Sequence, residues 1–327
     1  MTLYICCSHL YIPAVLSHYI EKNTLACLYT DKSNIVEMIN YLGIAMDVYC
    51  SPSFGGLFNF IGHLHEKKSL KDWIKRKNIK DVYFFHEGYC EVANWLMLYL
   101  SKLNKSEFHY VPIARSYLWE SVEKERGLLS NIRAIYCKWM WGYKPIYPRQ
   151  DKYCGVLPNS FYEKLCIKGE ESIRINSCIG KAILLDGFDE NGIVLLNNPN
   201  ITSTDSEEIY KSFLEDTLMP IMKDCPIYFK NHPGRTKKIG LENDIKEIPS
   251  FISGNLLTYR FKIFVGVNSA LLCEAANNGA MAICIAYLVD LDESIRESII
   301  SYHQFLSDKV FFPKTKEEFL EILKSIE

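Results

Sequence analysis

The sequence contains no run of about 18 uncharged apolar residues, so no membrane-spanning helix is expected. It has no excess of either charge: 37 Lys and Arg stand against 39 Asp and Glu, a formal net charge of −2. A dedicated nucleic-acid binder normally carries a basic face, so that class is set aside. Disorder is excluded by a hydrophobic fraction of 48%. The 12 cysteines include no C-x-x-C pair and no finger-type ligand spacing, which argues against a zinc module. The opening Met1-Thr2 runs straight into Leu3-Tyr4-Ile5-Cys6-Cys7, without the basic start and long apolar core of an export signal. A cytoplasmic location is therefore expected. The cysteines read as small buried apolar side chains rather than a disulfide framework, as with Cys27 in Leu25-Ala26-Cys27-Leu28-Tyr29.

What is present is an alternation. Short apolar runs at 3–7, 24–29, 45–50, 81–85 and 108–113 are separated by helical patterns at 12–20, 35–42, 57–77 and around Trp95–Leu100. The segment 115–180 is less regular. The pattern then restarts, with strands expected at 193–196, 227–230, 263–267 and 282–287 and helices at 206–222, 270–277 and 319–326. Strands alternating with helices of this length mean βαβ units and mostly parallel sheets. At 327 residues the chain exceeds one ordinary core, so we expect an α/β protein of two facing Rossmann-like domains, 1–178 and 179–327. No internal repeat or low-complexity segment is found.

In open α/β sheets ligands sit outside the carboxyl ends of the strands, which directs attention to three polar clusters. Lys230-Asn231-His232-Pro233-Gly234-Arg235 follows a buried strand, and Pro233 bars His232 from helical backbone. A histidine held there can assist a leaving phosphate, with Lys230 and Arg235 adding charge; the alternative is a turn with a solvated basic tip. In Gly266-Val267-Asn268-Ser269-Ala270, Asn268 or Ser269 would cap the next helix, and the same geometry offers N–H groups and a hydroxyl to an anion. His86-Glu87-Gly88 ends the clearest strand of the first half, where a carboxylate can act as general base. Ile248-Pro249, after Glu247, either edges a nucleobase pocket or lies in an ordinary loop.

Two further features need weighing. Asp290-Leu291-Asp292 has the D-x-D spelling of metal-dependent transferases, but it precedes Glu293 and reads as a helix cap at Asp292. The stretch 133–153, with Lys138-Trp139-Met140-Trp141, suits a peripheral contact with the inner membrane, a glycolipid acceptor groove or an aromatic surface between domains.

The order of the clusters resembles the bacterial sialyltransferases of the GT-B type, above all glycosyltransferase family 52 and the bacterial polysialyltransferases. Their acidic, H-P and serine motifs have counterparts in His86-Glu87-Gly88, His232-Pro233 and Asn268-Ser269. The resemblance covers most of the chain in outline, although each motif is only two or three residues long. His86 replaces the first acidic residue and Asn268 the first serine.

The resemblance implies an inverting, metal-independent glycosyltransferase that takes sialic acid or a related nonulosonate from its CMP donor to a surface glycan such as lipooligosaccharide, O-antigen or capsule. It implies Glu87 as base, with His86 as competitor, and His232 at the leaving phosphate. Ser269, Asn268, Lys230, Pro233 and Arg235 would hold the donor, with Ile248 and Pro249 against cytosine. No cofactor or metal is implied. The alternatives are another H-P transferase using CMP-Kdo or CDP-glycerol, and a non-catalytic nucleotide-sugar binder.

Overall fold

The computed structural model describes residues 1–9, 11–52, 59–85, 90–103, 105–111, 128–142, 168–169, 187–197, 213–218, 220, 225–231 and 245–325. The chain divides into two compact units, Met1–Ile175 and Asn176–Glu327.

The first unit is built on β1 (Thr2–Ile5), β2 (Ala26–Thr30), β3 (Asp47–Cys50), β4 (Asp81–Phe84), β5 (Glu107–Tyr110) and β6 (Lys168–Gly169). All pairings are parallel and the order is β3-β2-β1-β4-β5-β6. The central strands read as unbroken apolar runs because helices cover both faces: Leu3, Tyr4, Ile5, Cys27, Leu28 and Tyr29 are wholly buried. The helices are α1 (Ile12–Lys22), α2 (Ser33–Tyr41), α3 (Phe60–Lys75), α4 (Glu91–Lys102) and α5 (Leu128–Trp141). Asn23 ends α1 in the left-handed region at φ 44°, its N–H bonded to the Tyr19 carbonyl.

Helix α5 falls in 115–180, the segment whose sequence is less regular. Its Cys137, Met140 and Trp141 are buried in the same core as Trp95, Leu96 and Leu100 of α4. The Lys67 ammonium of α3 donates to the Met140 carbonyl and lies 5.5 Å and 5.2 Å from the ring centres of Trp95 and Trp141. Part of the aromatic-basic stretch is thus core. Trp139 is 66% exposed and stacks on Phe60 at 5.0 Å, while 143–153 lie outside the described residues. Among the described residues no helix is long and apolar enough to cross a membrane.

The second unit repeats the plan without repeating the sequence. Its strands are β7 (Ile193–Leu196), β8 (Ile227–Lys230), β9 (Lys246–Ile248), β10 (Ile263–Gly266) and β11 (Met281–Cys284), all parallel in the order β11-β10-β7-β8-β9. Helices α6 (Gly254–Leu257), α7 (Ala270–Asn277), α8 (Glu293–Leu306) and α9 (Lys316–Lys324) follow. Strand β9 occupies what the sequence presents as a loop. It is an edge strand in which only Ile248 is buried, and so it lacks an apolar signature. Of the helix expected over 206–222, residues 213–218 and 220 are described, with a π-helical turn at Leu214–Leu218.

Helix α8 begins after Asp292, which settles the D-x-D spelling as a helix start. The carboxylate makes no capping hydrogen bond, however; the Asp292 carbonyl accepts from Arg296 N–H at 2.9 Å. None of the nine described cysteines is in a disulfide, and Cys6, Cys27, Cys137, Cys273 and Cys284 are buried.

Candidate functional site

In the second sheet β7 is central, with β8 on one side and β10 on the other. The chain therefore reverses its direction of progress between β7 and β10, and open α/β sheets take their ligands at the carboxyl ends of such a pair. Gly266 ends β10 there. A Cβ on it would stand 3.1 Å from Leu196 Cβ, so a bare backbone is what lets these strands meet closely.

Polar residues follow each strand end. Asn197, after β7, donates through Nδ2 to Asn231 Oδ1 at 2.8 Å. Asn231, after β8, donates through Nδ2 to Glu247 Oε1 of β9 at 2.7 Å. Both asparagines are buried, and Asn197 Oδ1 has no hydrogen-bond partner among the described residues. The result is a relay of side-chain amides across three adjacent strand ends. A polar residue straight after a buried strand was the signal available in the sequence for Asn197; nothing there showed the pairing.

Lys230 ends β8 and is 4% exposed. Its ammonium donates to the carbonyls of Asn231 at 2.9 Å and Ser250 at 3.2 Å, tying β8 to the turn after β9. Burial pulls its pKa down to about 8, against the opposing pull of the Glu247 carboxylate. Ile248, the last residue of β9, is buried, and Pro249, which opens that turn, is half-buried.

Ser269 is the N-cap of α7. Its backbone is extended (φ −140°, ψ 120°), and its hydroxyl oxygen accepts from Leu271 N–H at 3.4 Å. Asn268 precedes it and is half-buried. Behind the cap stands His303 of α8, fully buried, with Nε2 3.2 Å from the Ser269 carbonyl and Nδ1 2.8 Å from the Ile299 carbonyl. Burial lowers the His303 pKa, against those two carbonyls. His303 carried no signal in the sequence, being one histidine in an amphipathic helix.

The structure thus brings Lys230, Ile248, Pro249, Asn268 and Ser269 to one edge of one sheet, and adds Asn197, Asn231, Glu247 and His303. Of the other expected residues, His232, Pro233, Arg235, His86 and Glu87 lie outside the described ones. In the first unit a second carboxylate emerges at a strand end. Glu66 of α3 is 2% exposed and accepts from Ser51 Oγ at 2.6 Å and Tyr49 Oη at 3.1 Å. Burial raises its pKa, against both hydroxyls. With both oxygens engaged it pins α3 to the end of β3.

No protein-family model matches the sequence, and no curated protein sequence matches it either. Solved structures do. The UDP-GlcNAc 2-epimerase from Methanocaldococcus jannaschii is 14% identical with a TM-score of 0.51, over 99% of this chain and 92% of that one. The E. coli heptosyltransferase solved with ADP-2-deoxy-2-fluoro heptose is 12% identical with a TM-score of 0.48, over 100% and 99%. The glycosyltransferase SnogD from Streptomyces nogalater is 12% identical with a TM-score of 0.43, again over 100% and 99%. The likeness to the first shows the fold: two Rossmann-like units of GT-B type.

Proposed function

We propose that the chain is a glycosyltransferase that moves sialic acid or a related nonulosonate from its CMP donor to a hydroxyl of a bacterial surface glycan, with inversion. One observation carries the reading: Lys230–Asn231, Glu247–Pro249 and Asn268–Ser269 converge at the carboxyl edge of a parallel sheet of Rossmann order, where such folds take nucleotides. That convergence follows the order of motifs for which the sequence resembles bacterial sialyltransferases.

In this reading the donor phosphate lies at the start of α7. The Ser269 hydroxyl accepts from Leu271 and so can direct its own proton to a phosphate oxygen, beside the first N–H groups of the helix. Cytosine lies along Ile248 and Pro249, and Lys230 fixes that turn. The Asn231 relay holds the end of β8 from which His232 follows. The acceptor hydroxyl attacks the anomeric carbon as the bond to the CMP phosphate breaks. Glu87, or His86 in its place, takes the acceptor proton, and His232 gives a proton or hydrogen bond to the departing phosphate. Pro233 and Arg235, which follow in the sequence, would add a fixed backbone and a positive charge for the donor. No metal is called on in this scheme, and a peripheral contact with the cytoplasmic face of the membrane would bring the protein to a lipid-linked acceptor.

The test is nucleotide release from CMP-Neu5Ac, CMP-Kdo, CDP-glycerol and UDP-GlcNAc, each with and without glycan acceptors. CMP-Neu5Ac should be preferred and release should need an acceptor. Preference for CMP-Kdo or CDP-glycerol replaces the donor, and isomerisation of UDP-GlcNAc without acceptor replaces the reaction class. Binding of CMP without turnover leaves a nucleotide-sugar binder. His232→Ala should lower turnover by about 100-fold or more if the imidazole serves the leaving group.

A further inference from the structure

Three side chains meet at the carboxyl edge of the first sheet. Cys7 lies two residues beyond β1, Asp31 follows β2 directly, and Cys90 is the N-cap of α4. Their ligand atoms, two sulfurs and a carboxylate oxygen, all lie within 4.8 Å of one another, and all three residues are half-buried. The Asp31 carboxylate is divided in its partners. Oδ2 pairs with Lys32 Nζ at 3.1 Å, whereas Oδ1 is buried and has no hydrogen-bond partner among the described residues. Tyr29 Oη lies 3.9 Å from Cys90 Sγ and lines the same hollow.

We propose that Cys7, Asp31 and Cys90 form a zinc site, with water completing the tetrahedron. Two thiolates and one carboxylate suit a borderline-soft divalent ion and disfavour Mg2+ or Ca2+, which take oxygen alone. A tetrahedron with Zn–S bonds of about 2.3 Å sets its sulfurs roughly 3.8 Å apart, so the two thiols need close by at most about 1 Å. Thiolate is the form of cysteine that binds zinc, so any thiol proton leaves to solvent as its sulfur takes the metal. The ion would clasp the turns after β1 and β2 to the start of α4. Cys90 is three residues beyond Glu87 in the sequence, but the zinc site uses no residue of the transfer scheme, and neither proposal depends on the other. The ligands are 24 and 59 residues apart along the chain, which is why no ligand spacing shows in the sequence.

The test uses full-length, tag-free protein, reduced, stripped of metal and titrated with Co2+. A thiolate-to-cobalt charge-transfer band should grow to one equivalent and vanish when Zn2+ is added. Cys7→Ser and Cys90→Ser should each weaken binding by more than the roughly 10-fold that follows loss of even an outer partner. Asp31→Asn should weaken binding while keeping the band. Cys225→Ser, in the second unit, should change nothing. Zn2+ should also shield Cys7 and Cys90 of the unmutated protein from alkylation while exposed Cys50 still reacts, which decides the matter if a serine variant fails to fold. Cobalt binding without a thiolate band would move the ion to Asp81, Glu107 and His109, whose ligand atoms also cluster, and would overturn the proposal. So would reduced protein that binds no metal, whether or not oxidation joins Cys7 to Cys90.

Discussion

His303 Nε2 lies 3.2 Å from the carbonyl oxygen of Ser269, so the residue that caps α7 is itself held from behind by a buried imidazole. With Ile299 O on its other nitrogen, that imidazole faces two acceptors although its neutral form has one N–H. Burial nevertheless lowers its pKa below the ordinary 6.5.

The sign of the pH effect follows. Between the lowered folded value and 6.5 the unfolded chain binds more protons, so this contribution is intact above pH 6.5 and is lost as pH falls toward the folded value. The thermal midpoint of the wild type should fall between pH 7 and pH 5 more steeply than that of His303→Gln. Parallel curves would refute it.

Ser269→Ala removes a cap and should cost about 1 kcal/mol in urea unfolding, whereas Ser269→Thr should cost less. If the hydroxyl also meets a phosphate, CMP affinity by calorimetry should drop about 10-fold or more in the alanine variant, since hydrogen bonds to charged groups contribute about 1.5–3 kcal/mol. Equal CMP affinity with the stability loss alone leaves Ser269 as a cap only.

Asn231→Ala should destabilise by about 1–3 kcal/mol, because Asn197 Nδ2 loses its buried acceptor and Glu247 loses a donor. Asn231→Asp sets a carboxylate facing Glu247 and should do worse at neutral pH than at pH 4. Denaturant midpoints at the two pH values read both effects.

Lys230 carries its own pH signature. Its pKa falls from 10.5 to about 8, so the folded state gains stability as pH rises from about 8 to 10.5 and the ammonium is lost. That gain is on the order of 3 kcal/mol. Lys230→Met should abolish it while staying near wild-type stability at pH 7, where lost carbonyl contacts offset the relieved burial of charge. Urea midpoints at pH 7 and 9.5 make the comparison.

Gly266→Ala should destabilise by about 1–3 kcal/mol, since its new Cβ forces Leu196 and β7 to give by a few tenths of an ångström. Leu196→Gly, which removes the Cβ that the new one meets, should cost less in the Gly266→Ala background than in the wild type. Additive effects in the double-mutant cycle would deny the contact.

Where the chain is buried on both faces of a sheet, composition alone locates it: strands Ile193–Leu196 and Ile227–Lys230 have the bounds their residues suggest, as does helix Ala270–Asn277 behind its Ser269 cap. Helix α5 escaped because Trp139 and Lys138 break its apolar stripe on the exposed side, and β9 because an edge strand buries one residue in three. The strand-end motifs were legible as positions, since the polar residue after a buried run marks the ligand edge. Their partners were not. Asn197 with Asn231, His303 with Ser269, and Cys7 with Asp31 and Cys90 meet only because parallel strands gather distant turns at one end.

The strand order of the first sheet also sets a timetable. β1 pairs with β2 on one side and with β4 on the other. On the ribosome, β1 acquires its first neighbour once Thr30 has emerged, but its second edge stays bare until Asp81–Phe84 follows. At roughly 5–20 residues per second that exposure lasts about 3–10 s. An unpaired edge of Thr2–Ile5, buried throughout in the finished fold, is a template for pairing with another nascent chain. Yield in the host should therefore depend on translation speed between Thr30 and Asp81 more than on the stability of the completed protein.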